Sequence, residues 1–412
     1  MKRWLFLAVW LIVCVASVSA QSQPVEPPPA SSSTDAAGSP GIAADGYVYV
    51  SGQDSRGARG VPAKFTDQVR QSLDNIKFVV EAAGLNMDHV VYVQVFLEDT
   101  KHYDELNQAF ATYFSKDPPA RSVVGVARLS KPGVEISAIA VRDLNGKHAV
   151  AVPDSKPSKA YSLGMLTHDR LFISSMFGRD PATGKIPQDH AEQVNLALDG
   201  LKSVTEAAGL TLANMVFVNP YMTSEIHYEE MNKQYAKRFE FGNTPARATI
   251  EVASLPDGAQ ISYTGIAVRD LSQRHSIRPK NMPPSPTASP CVFAGDTLFC
   301  SAKSGFIPGP NGGVFAASTA DQTRQSMRNQ LDNLEEADMS FADVISTTIY
   351  LDDLSDWPQF AGVYKKYFSG ALPARTTVQQ TMPGRRKANK EGEYSDLEQF
   401  SLIAVRSRAG SR

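Results

Sequence analysis

Short apolar segments with β-strand character recur at matching places in three parts of the chain. The first, Tyr47–Ser51, follows a tight Asp45–Gly46 turn, and its counterparts begin at Leu171 and Leu298. These segments are rich in valine, leucine, tyrosine and phenylalanine and are bounded by turn residues. This composition predicts a strand at each of the three places.

An amphipathic helix is predicted after each of these strands. In the first set, apolar residues from Val69 to Ala83 recur at intervals of three and four, which is the spacing of one helix face. Thr66 is expected to cap this helix, and Gly84 is expected to end it as a left-handed C-terminal residue. The later helices end in similar sequences, at 206–210 and 335–339.

The remaining elements repeat in the same order. The middle strands are predicted at Val90–Leu97, Val216–Met222 and Val344–Leu351, and the second helices at Tyr103–Phe114, Tyr228–Phe239 and Trp357–Phe368. Two further strands follow in each set. The last of them contains Ala-Ile-Ala-Val, Gly-Ile-Ala-Val or Leu-Ile-Ala-Val in the three copies.

This order predicts three α+β domains of ββαβαββ type, at residues 38–144, 160–271 and 288–407. Two helices interleaved with strands favour one sheet with both helices on a single face. The other face then needs a cover. With three copies in one chain, we expect the three sheets to cover one another as an intramolecular pseudo-trimer, so that the protein is a monomer acting as an intrachain trimer.

The N-terminal residues differ in character from the repeats. Lys2–Arg3 precede an apolar run from Trp4 to Val15, and small residues lead to Ala20, which predicts a signal peptide at 1–20. The alternative is a single membrane anchor, although the run is short for a membrane span. We expect a secreted or periplasmic protein without membrane association after cleavage. The Pro-, Ser- and Ala-rich residues 21–37 are expected to form a disordered tether, and 145–159 and 272–287 to be linkers.

The charge of the chain is almost balanced. It has 41 Lys and Arg residues against 43 Asp and Glu residues, a formal net charge of −2, and no sustained basic segment. Nucleic acid is therefore not an expected partner.

A Pro-Ala-Arg motif occurs once in each domain. Its arginines are Arg121, Arg247 and Arg375, each at the start of a predicted strand that follows the second helix. A guanidinium group is suited to bidentate binding of a planar carboxylate. The alternative is a structural ion pair across an interface between domains.

Together, these motifs resemble the Rid family (YjgF-like, RidA-like reactive intermediate deaminases). They are Ser51-Gly52-Gln53, the Glu-Ala-Ala-Gly-Leu helix end, Pro-Ala-Arg and the closing Ala-Ile-Ala-Val. The resemblance covers nearly all of 38–406. It implies a chorismate-mutase-like fold, three clefts between domains, and arginines that hold the carboxylate of an imine or enamine derived from an amino acid. No cofactor is implied.

The resemblance also implies further ligand-binding positions, which are unevenly retained. The family's cleft tyrosine is Tyr161, with Gly38 and Ala288 at the matching places. The helix asparagine is kept as Asn107 and Asn232 but is Ala361 in the third domain. Ser51 and Gly52 are expected to line the cleft, and we expect Ser175-Met176-Phe177 and Ser301-Ala302-Lys303 to be their later counterparts.

The largest departure concerns the glutamate that positions or activates water in the family. The matching residues are Ser137, Thr264 and Ser401, whose hydroxyl groups are expected to hold water in the cleft. A hydroxyl group is not a general base near neutral pH without a partner. Glu135 lies two residues before Ser137, on the same face of the strand. It is either a substitute for the lost glutamate or an ordinary edge carboxylate.

Two cysteines remain after the predicted signal peptide. If Phe293 pairs with Leu298 across a turn, Cys291 lies opposite Cys300. Either a cross-strand disulfide or two buried thiols would fit this arrangement. The seven histidines form no pair with the spacing of metal ligands, so no metal site is expected.

These features predict an exported Rid-like protein that hydrolyses small carboxylate-bearing imines or enamines, of the 2-aminoacrylate type, to keto acids and ammonia. The alternative is a binding protein for small carboxylate metabolites that has lost the catalytic glutamate. Ribonuclease activity, which has been associated with some relatives, is disfavoured by the neutral charge and the expected export.

Overall fold

The protein is described from a computed structural model, which covers residues 22–26, 38–114, 116–156, 158–280, 282–309, 312–382, 384, 387–390 and 392–407. The predicted signal peptide and most of the predicted tether lie outside these residues. No helix in the described part of the chain is long and apolar enough to cross a membrane.

Each domain contains the predicted elements in the predicted order. In domain 1 the strands are Gly41–Ala44, Tyr47–Asp54, Val90–Leu97, Ala120–Gly125 and Val134–Val141, and the helices are Phe65–Ala82 and Tyr103–Tyr113. The strand that contains the Pro-Ala-Arg arginine is called the arginine strand below, and the last strand is called the closing strand. The first helix begins at Phe65, so Thr66 lies inside it and is not its cap, contrary to the prediction.

Domains 2 and 3 follow the same plan. The strands of domain 2 are Gly164–Leu166, Arg170–Phe177, Met215–Met222, an arginine strand in two pieces (Ala246–Arg247 and Ile250–Glu251) and Ile261–Val268, with helices His190–Ala207 and Tyr228–Tyr235. The strands of domain 3 are Cys291–Ala294, Thr297–Ser304, Val344–Leu351, Ala374–Gln379 and Glu398–Val405, with helices Thr319–Glu336 and Trp357–Tyr364. Domain 3 also has a small hairpin, Phe306–Ile307 with Val314–Phe315.

An edge strand precedes each domain, which the sequence analysis did not predict. Gln23–Val25, His148–Ala149 and Arg274–Ile277 each pair antiparallel with the first strand of the domain that follows. Part of the expected tether and part of both expected linkers are therefore ordered as sheet. These segments are polar or Pro-rich, as edge strands often are, and so carry little strand signal.

We call the first two strands of each domain the opening pair and the third strand the middle strand; in domain 1 these are Gly41–Ala44 with Tyr47–Asp54, and Val90–Leu97. The strands of each sheet then have the same spatial order: edge strand, opening pair, closing strand, middle strand and arginine strand. The arginine strand runs parallel to the middle strand, and the closing strand lies antiparallel between the middle strand and the opening pair. The crossover that joins two parallel strands requires a helix, which is the second helix of the domain.

The two faces of each sheet serve different purposes. In domain 1, Val48 and Val50 face the helices and pack with Val69, Leu73 and Ile76. The alternate residues Tyr47 and Tyr49 face the other way, into a cluster shared with domains 2 and 3. Both faces are therefore apolar, which explains why the opening strands lack strong alternation in the sequence.

The three sheets meet around a common axis, as predicted. One apolar cluster combines Tyr49 and Val91 of domain 1 with Phe172 and Val216 of domain 2, and with residues of domain 3 such as Phe299. A second cluster further along the axis includes Phe96, Tyr221 and Tyr350. The chain is therefore an intramolecular pseudo-trimer with a continuous core.

Arg170 joins the three domains at one end of this axis. Its side chain is 1% exposed, and it contacts the carboxylates of Asp45 (2.7 Å) and Asp169 (3.1 Å). It also donates to the Thr297 hydroxyl group (2.8 Å) and stacks on the Tyr47 ring. Burial alone would lower the pKa of Arg170, but the surrounding tyrosine and carboxylate oxygens outweigh burial and raise it. The charge is therefore neutralised inside the core.

Domain 3 carries a buried acid at a position that is apolar in the other two domains. Glu398 is 2% exposed, and the equivalent positions are Val134 and Ile261. Burial raises the pKa of Glu398 well above its usual range, and the nearby Asp396 raises it further. Burial also raises the pKa of Asp396 to about 7. Folding therefore favours the protonated form of both groups.

These acids make the stability of the protein depend on pH. The contribution of a group whose pKa is raised by folding is greatest below its unfolded pKa of about 4 and falls as pH rises through its folded pKa. We expect Glu398→Gln to raise the thermal midpoint at pH 8 and to have little effect at pH 5, as measured by calorimetry at both pH values. Val134→Gln, at the equivalent position of domain 1, should destabilise at both pH values. An equal effect of Glu398→Gln at pH 5 and pH 8 would contradict this explanation.

Candidate functional site

A β-bulge occurs at the same place in the three domains. In domain 1, Val50 pairs with Ala138 and Gln53 pairs with Ile136, so Ser51 and Gly52 together lie opposite Ser137. The same shift in register occurs in domains 2 and 3. A bulge bends its strand and changes the direction of a side chain. Here it directs a serine out of its own sheet and toward the neighbouring domain.

This serine holds the arginine strand of the neighbouring domain. The hydroxyl group of Ser51 accepts a hydrogen bond from the backbone N–H of Arg375 (2.7 Å) and donates to the carbonyl oxygen of Ser39 (2.5 Å). Ser174 does the same for Arg121, and Ser301 for Arg247. Ser174 is thus the equivalent of Ser51. The prediction that the counterpart of Ser51 is Ser175 was wrong by one residue.

We call each contact between a bulge serine and the arginine strand of the neighbouring domain a seam. Backbone hydrogen bonds extend each seam. Ser39, Ser162 and Ser289 donate to the carbonyl oxygens of Pro373, Pro119 and Pro245 respectively. Domain 1 therefore contacts the arginine strand of domain 3. Domain 2 contacts the arginine strand of domain 1, and domain 3 contacts the arginine strand of domain 2. The arrangement closes into a ring, and one arginine lies at each seam. We name the three sites the Arg121, Arg247 and Arg375 clefts.

The Arg121 cleft is covered by aromatic rings. The ring centre of Tyr161, from domain 2, lies 4.8 Å from the guanidinium carbon of Arg121. The ring centre of Phe110, on the second helix of domain 1, lies 4.7 Å from the same carbon. Asn107 accepts a hydrogen bond from the Nη2 atom, whereas Nε and Nη1 have no hydrogen-bond partner among the described residues. Burial lowers the pKa of Arg121, although an arginine remains charged near neutral pH. The cleft therefore holds a buried cation between aromatic rings.

The arginine of the Arg247 cleft is held by its own domain. Its Nη1 atom donates to Asn232 (2.7 Å), and its Nη2 atom donates to the hydroxyl group of Tyr228 (3.1 Å). The ring of Tyr235 lies 4.9 Å from the guanidinium carbon. These contacts fix the orientation of Arg247 and use donors that a ligand would otherwise need.

The Arg375 cleft is open. It has a volume of about 420 Å³ and lies between domains 3 and 1. Gly38 occupies the place that Tyr161 has above Arg121, and a Cβ atom there would come within 3.4 Å of the Arg375 Nε atom. A tyrosine at this position would therefore cover the guanidinium group. Because the residue is glycine, no ring covers Arg375 from the position that Tyr161 occupies above Arg121.

The walls of the Arg375 cleft supply an aromatic surface and a carboxylate. Trp357 stacks on Arg375, with 4.2 Å between the guanidinium carbon and the ring centre, and Thr377 accepts a hydrogen bond from Nη1. Gly52 and Glu135 lie on the domain 1 side. A Cβ atom on Gly52 would lie 2.1 Å from a Glu135 carboxylate oxygen, so glycine leaves the space for this carboxylate. Trp357 was not singled out from the sequence, whereas Thr377 stands where the resemblance places the family's cysteine, two residues after the arginine.

The three hydroxyl residues predicted to hold water lie around the axis. Ser137, Thr264 and Ser401 line a cavity of about 100 Å³ between the sheets, and Arg375 lines both this cavity and its cleft. The Thr264 hydroxyl group donates to the carbonyl oxygen of Ile173. Bound water at these residues stays a prediction. No carboxylate replaces the family glutamate at these three positions.

The two cysteines form the cross-strand pair of the third opening hairpin. Phe293 pairs with Leu298 and Cys291 with Cys300, as the turn predicted, and the two sulfur atoms are bonded. The residues are fully buried beneath the helices of domain 3. Within the described residues, no group of three His, Cys, Asp or Glu side chains could hold a metal ion.

Sequence comparisons agree with this architecture. The sequence profile described as Endoribonuclease L-PSP matches residues 31–142, 153–269 and 281–384, which together make up most of the chain. The fold and the repeated arginine seam thus define a protein built from three such domains. The chain belongs to this family, which is the Rid (YjgF-like) family.

Individual relatives correspond to one domain each. A RutC family protein of Pyrococcus horikoshii is 38% identical over 106 residues, which are 25% of this chain and 84% of the relative. The 2-iminobutanoate/2-iminopropanoate deaminase of Escherichia coli K12 is 46% identical over 86 residues, 20% of this chain and 67% of the relative. The crystal structure of the Escherichia coli YjgF gene product has a TM-score of 0.28 and 35% identity, and covers 29% of this chain and 99% of its own.

The serine seams should contribute measurably to stability. Ser51→Ala leaves the buried Arg375 N–H and the Ser39 carbonyl group without this partner, which should cost about 2 kcal/mol. Ser55→Ala is a matched control, because Ser55 is equally buried and its hydroxyl group has no hydrogen-bond partner among the described residues. Denaturant unfolding should show a clear loss for Ser51→Ala and little change for Ser55→Ala. Equal losses would mean that the seam bond is not the cause.

Proposed function

We propose that this protein hydrolyses small carboxylate-bearing imines or enamines, of the 2-aminoacrylate type, to keto acids and ammonia, and that it does so in the Arg375 cleft. The observation that carries this proposal is an open cleft in which a partly buried arginine and a carboxylate, Glu135, line the same space. The substrate class is supported by the Escherichia coli relative, which is a 2-iminobutanoate/2-iminopropanoate deaminase.

In the proposed mechanism, Arg375 binds the substrate carboxylate through paired charge-assisted hydrogen bonds. Trp357 and Thr377 keep the guanidinium group in one orientation. An imine carbon is already electrophilic, so the protein mainly has to position a water molecule beside it. No cofactor is required for this step.

Glu135 supplies the base that the family position lacks. Its carboxylate accepts a proton from water as the oxygen attacks the imine carbon, and it passes this proton to the nitrogen, which gives a carbinolamine. The carboxylate then takes the hydroxyl proton and delivers it to the amine nitrogen as the C–N bond breaks, so that ammonia leaves and the keto group forms. One water is consumed, and one keto acid and one ammonia are formed. The three arginine clefts would thus be unequal, with the covered Arg121 and the internally bonded Arg247 contributing less.

The alternative function is binding of small carboxylate metabolites without catalysis. It is favoured by one observation: the residues at the family's glutamate position are Ser137, Thr264 and Ser401. Under this alternative, Arg375 would hold a carboxylate in the same cleft and Glu135 would be an ordinary part of the wall. The two functions therefore share a site and differ only in whether bond cleavage is accelerated.

The arginine variants test the proposed cleft. We expect Arg375→Ala to lower kcat/KM for freshly generated 2-aminoacrylate about 100-fold, because two hydrogen bonds to a charged group are lost. Arg247→Ala and Arg121→Ala serve as matched controls at the other seams and should retain most of the activity. Keto acid release is followed against the spontaneous rate.

The same assay with Glu135→Gln separates the two functions. We expect kcat to fall about 100-fold with KM little changed, since the amide keeps the shape but cannot accept the proton. If the unmodified protein never exceeds the spontaneous rate, the enzyme function is wrong. Binding of pyruvate that is lost in Arg375→Ala would then support the binding function.

We further propose that the protein is exported. The Lys2–Arg3 segment, the apolar run after it and the small residues before Gln21 support a cleaved signal, and the Cys291–Cys300 disulfide suits an oxidising compartment. Mass spectrometry of the protein purified from its native cells should give a mature N-terminus at Gln21. Recovery of the intact Met1 form from the cytoplasmic fraction would contradict export.

A further inference from the structure

We propose that the Arg375 cleft selects substrates with a second carboxylate, such as the imines of dicarboxylic amino acids, and that Arg128 and Lys131 bind this second group. This inference rests on the proposed function, because it assigns the substrate class of the same cleft. The inference is based on basic residues that line the cleft in addition to Arg375, the residue proposed to bind the first carboxylate.

Among the described residues that line the cleft, basic groups outnumber acidic groups. Besides Arg375 it is lined by Arg56, Arg128 and Lys131, against two acids, Asp54 and Glu135. Asp54 is paired with Arg56 at 3.0 Å. One acid is therefore already matched to a base, and Arg128 and Lys131 are two further basic groups on the wall that also holds Arg375 and Glu135. A ligand with one carboxylate would leave cationic wall unmatched, whereas a dicarboxylate would complement it.

The backbone fixes the distance between the two basic ends of the cleft. The loop that carries Arg128 is tied to domain 3 by hydrogen bonds between the backbones of Arg128 and Gln379. Gln379 lies four residues beyond Arg375 on the same strand, which is about 13 Å along the chain. Arginine side chains extending from two such points can contact the opposite ends of one small molecule.

The first domain seam provides an internal comparison. Ser254 of domain 2 pairs with Gly125 in the same way that Arg128 pairs with Gln379. Counting from the arginine of each domain, Ser254 corresponds to Arg128, and Asp257 corresponds to Lys131. At the Arg121 cleft these two positions therefore carry a neutral and an acidic residue, and Asp257 is paired with Arg179 at 2.7 Å. The pair Arg128 and Lys131 thus distinguishes the Arg375 cleft from the Arg121 cleft, as expected for a feature that determines specificity.

The volume of the cleft agrees with a longer substrate. About 420 Å³ lies within the usual range for small-molecule sites and is generous for a three-carbon imine alone. Trp357 forms one apolar wall, along which the methylene groups between two carboxylates could lie.

The test compares two substrates that differ only in the second group. The imines of glutamate and of glutamine are generated in place by an amino acid oxidase, and their hydrolysis is followed by keto acid release. We expect kcat/KM to be about tenfold higher for the glutamate imine, corresponding to one charge-assisted contact of about 1.4 kcal/mol.

The variant Arg128→Ser with Lys131→Ala should remove this preference. It should lower kcat/KM for the glutamate imine about tenfold and leave that for the glutamine imine within about twofold. The matched control is Arg70→Ser with Lys77→Ala, which removes the same two charges from the outer face of the first helix of domain 1. An equal loss on both imines, or an equal loss in the control, would overturn the inference.

A binding measurement separates failure of this inference from failure of the proposed function. Calorimetric titration with 2-oxoglutarate and with 2-oxopentanoate needs no catalysis. Tighter binding of 2-oxoglutarate that is lost in the Arg128→Ser, Lys131→Ala variant supports the second anionic site even if no imine is hydrolysed. Equal affinity for the two keto acids would contradict the site even if hydrolysis is observed.

Discussion

The hydrogen bond from each arginine backbone to the serine of a neighbouring domain is the constraint on which the site depends. An arginine strand at the edge of its sheet has an unpaired N–H that must find a partner when it is buried. The bulge in the next domain supplies that partner by directing Ser51, Ser174 or Ser301 across the seam. Assembly of the three sheets and placement of the three guanidinium groups are therefore the same event.

This constraint fixes the backbone of the arginine and leaves its surroundings free to change. The seam bonds involve only backbone groups and a serine hydroxyl group, so residues in front of the guanidinium group are not restricted by them. Tyr161 covers Arg121, Asn232 and Tyr228 bind Arg247, and Gly38 exposes Arg375. The clefts thus share their frame and differ in their contents. A base such as Glu135 can serve one cleft without affecting the others.

The order of strands and helices was predictable because both faces of the sheets and one face of each helix are apolar with regular spacing. The hairpin with Cys291 and Cys300 was predictable for the same reason. The edge strands were not, since a polar segment such as Arg274–Ile277 forms strand only through its backbone. The bulge was also invisible, because it adds one residue without changing composition, and this is why Ser175 was aligned in place of Ser174. Trp357 could not be found, because its role depends on contact with Arg375 from a different element, the second helix of domain 3.

Fusion of the three copies permits arrangements that a symmetric trimer cannot have. In a homotrimer every residue near the axis is present three times. Tyr47, Arg170 and Thr297 occupy equivalent positions here, so a single guanidinium group lies at the axis and is neutralised by Asp45 and Asp169. Three arginines at this place would repel one another at close range. The same freedom explains how Arg128 can face one cleft while Ser254 occupies the matching place at another.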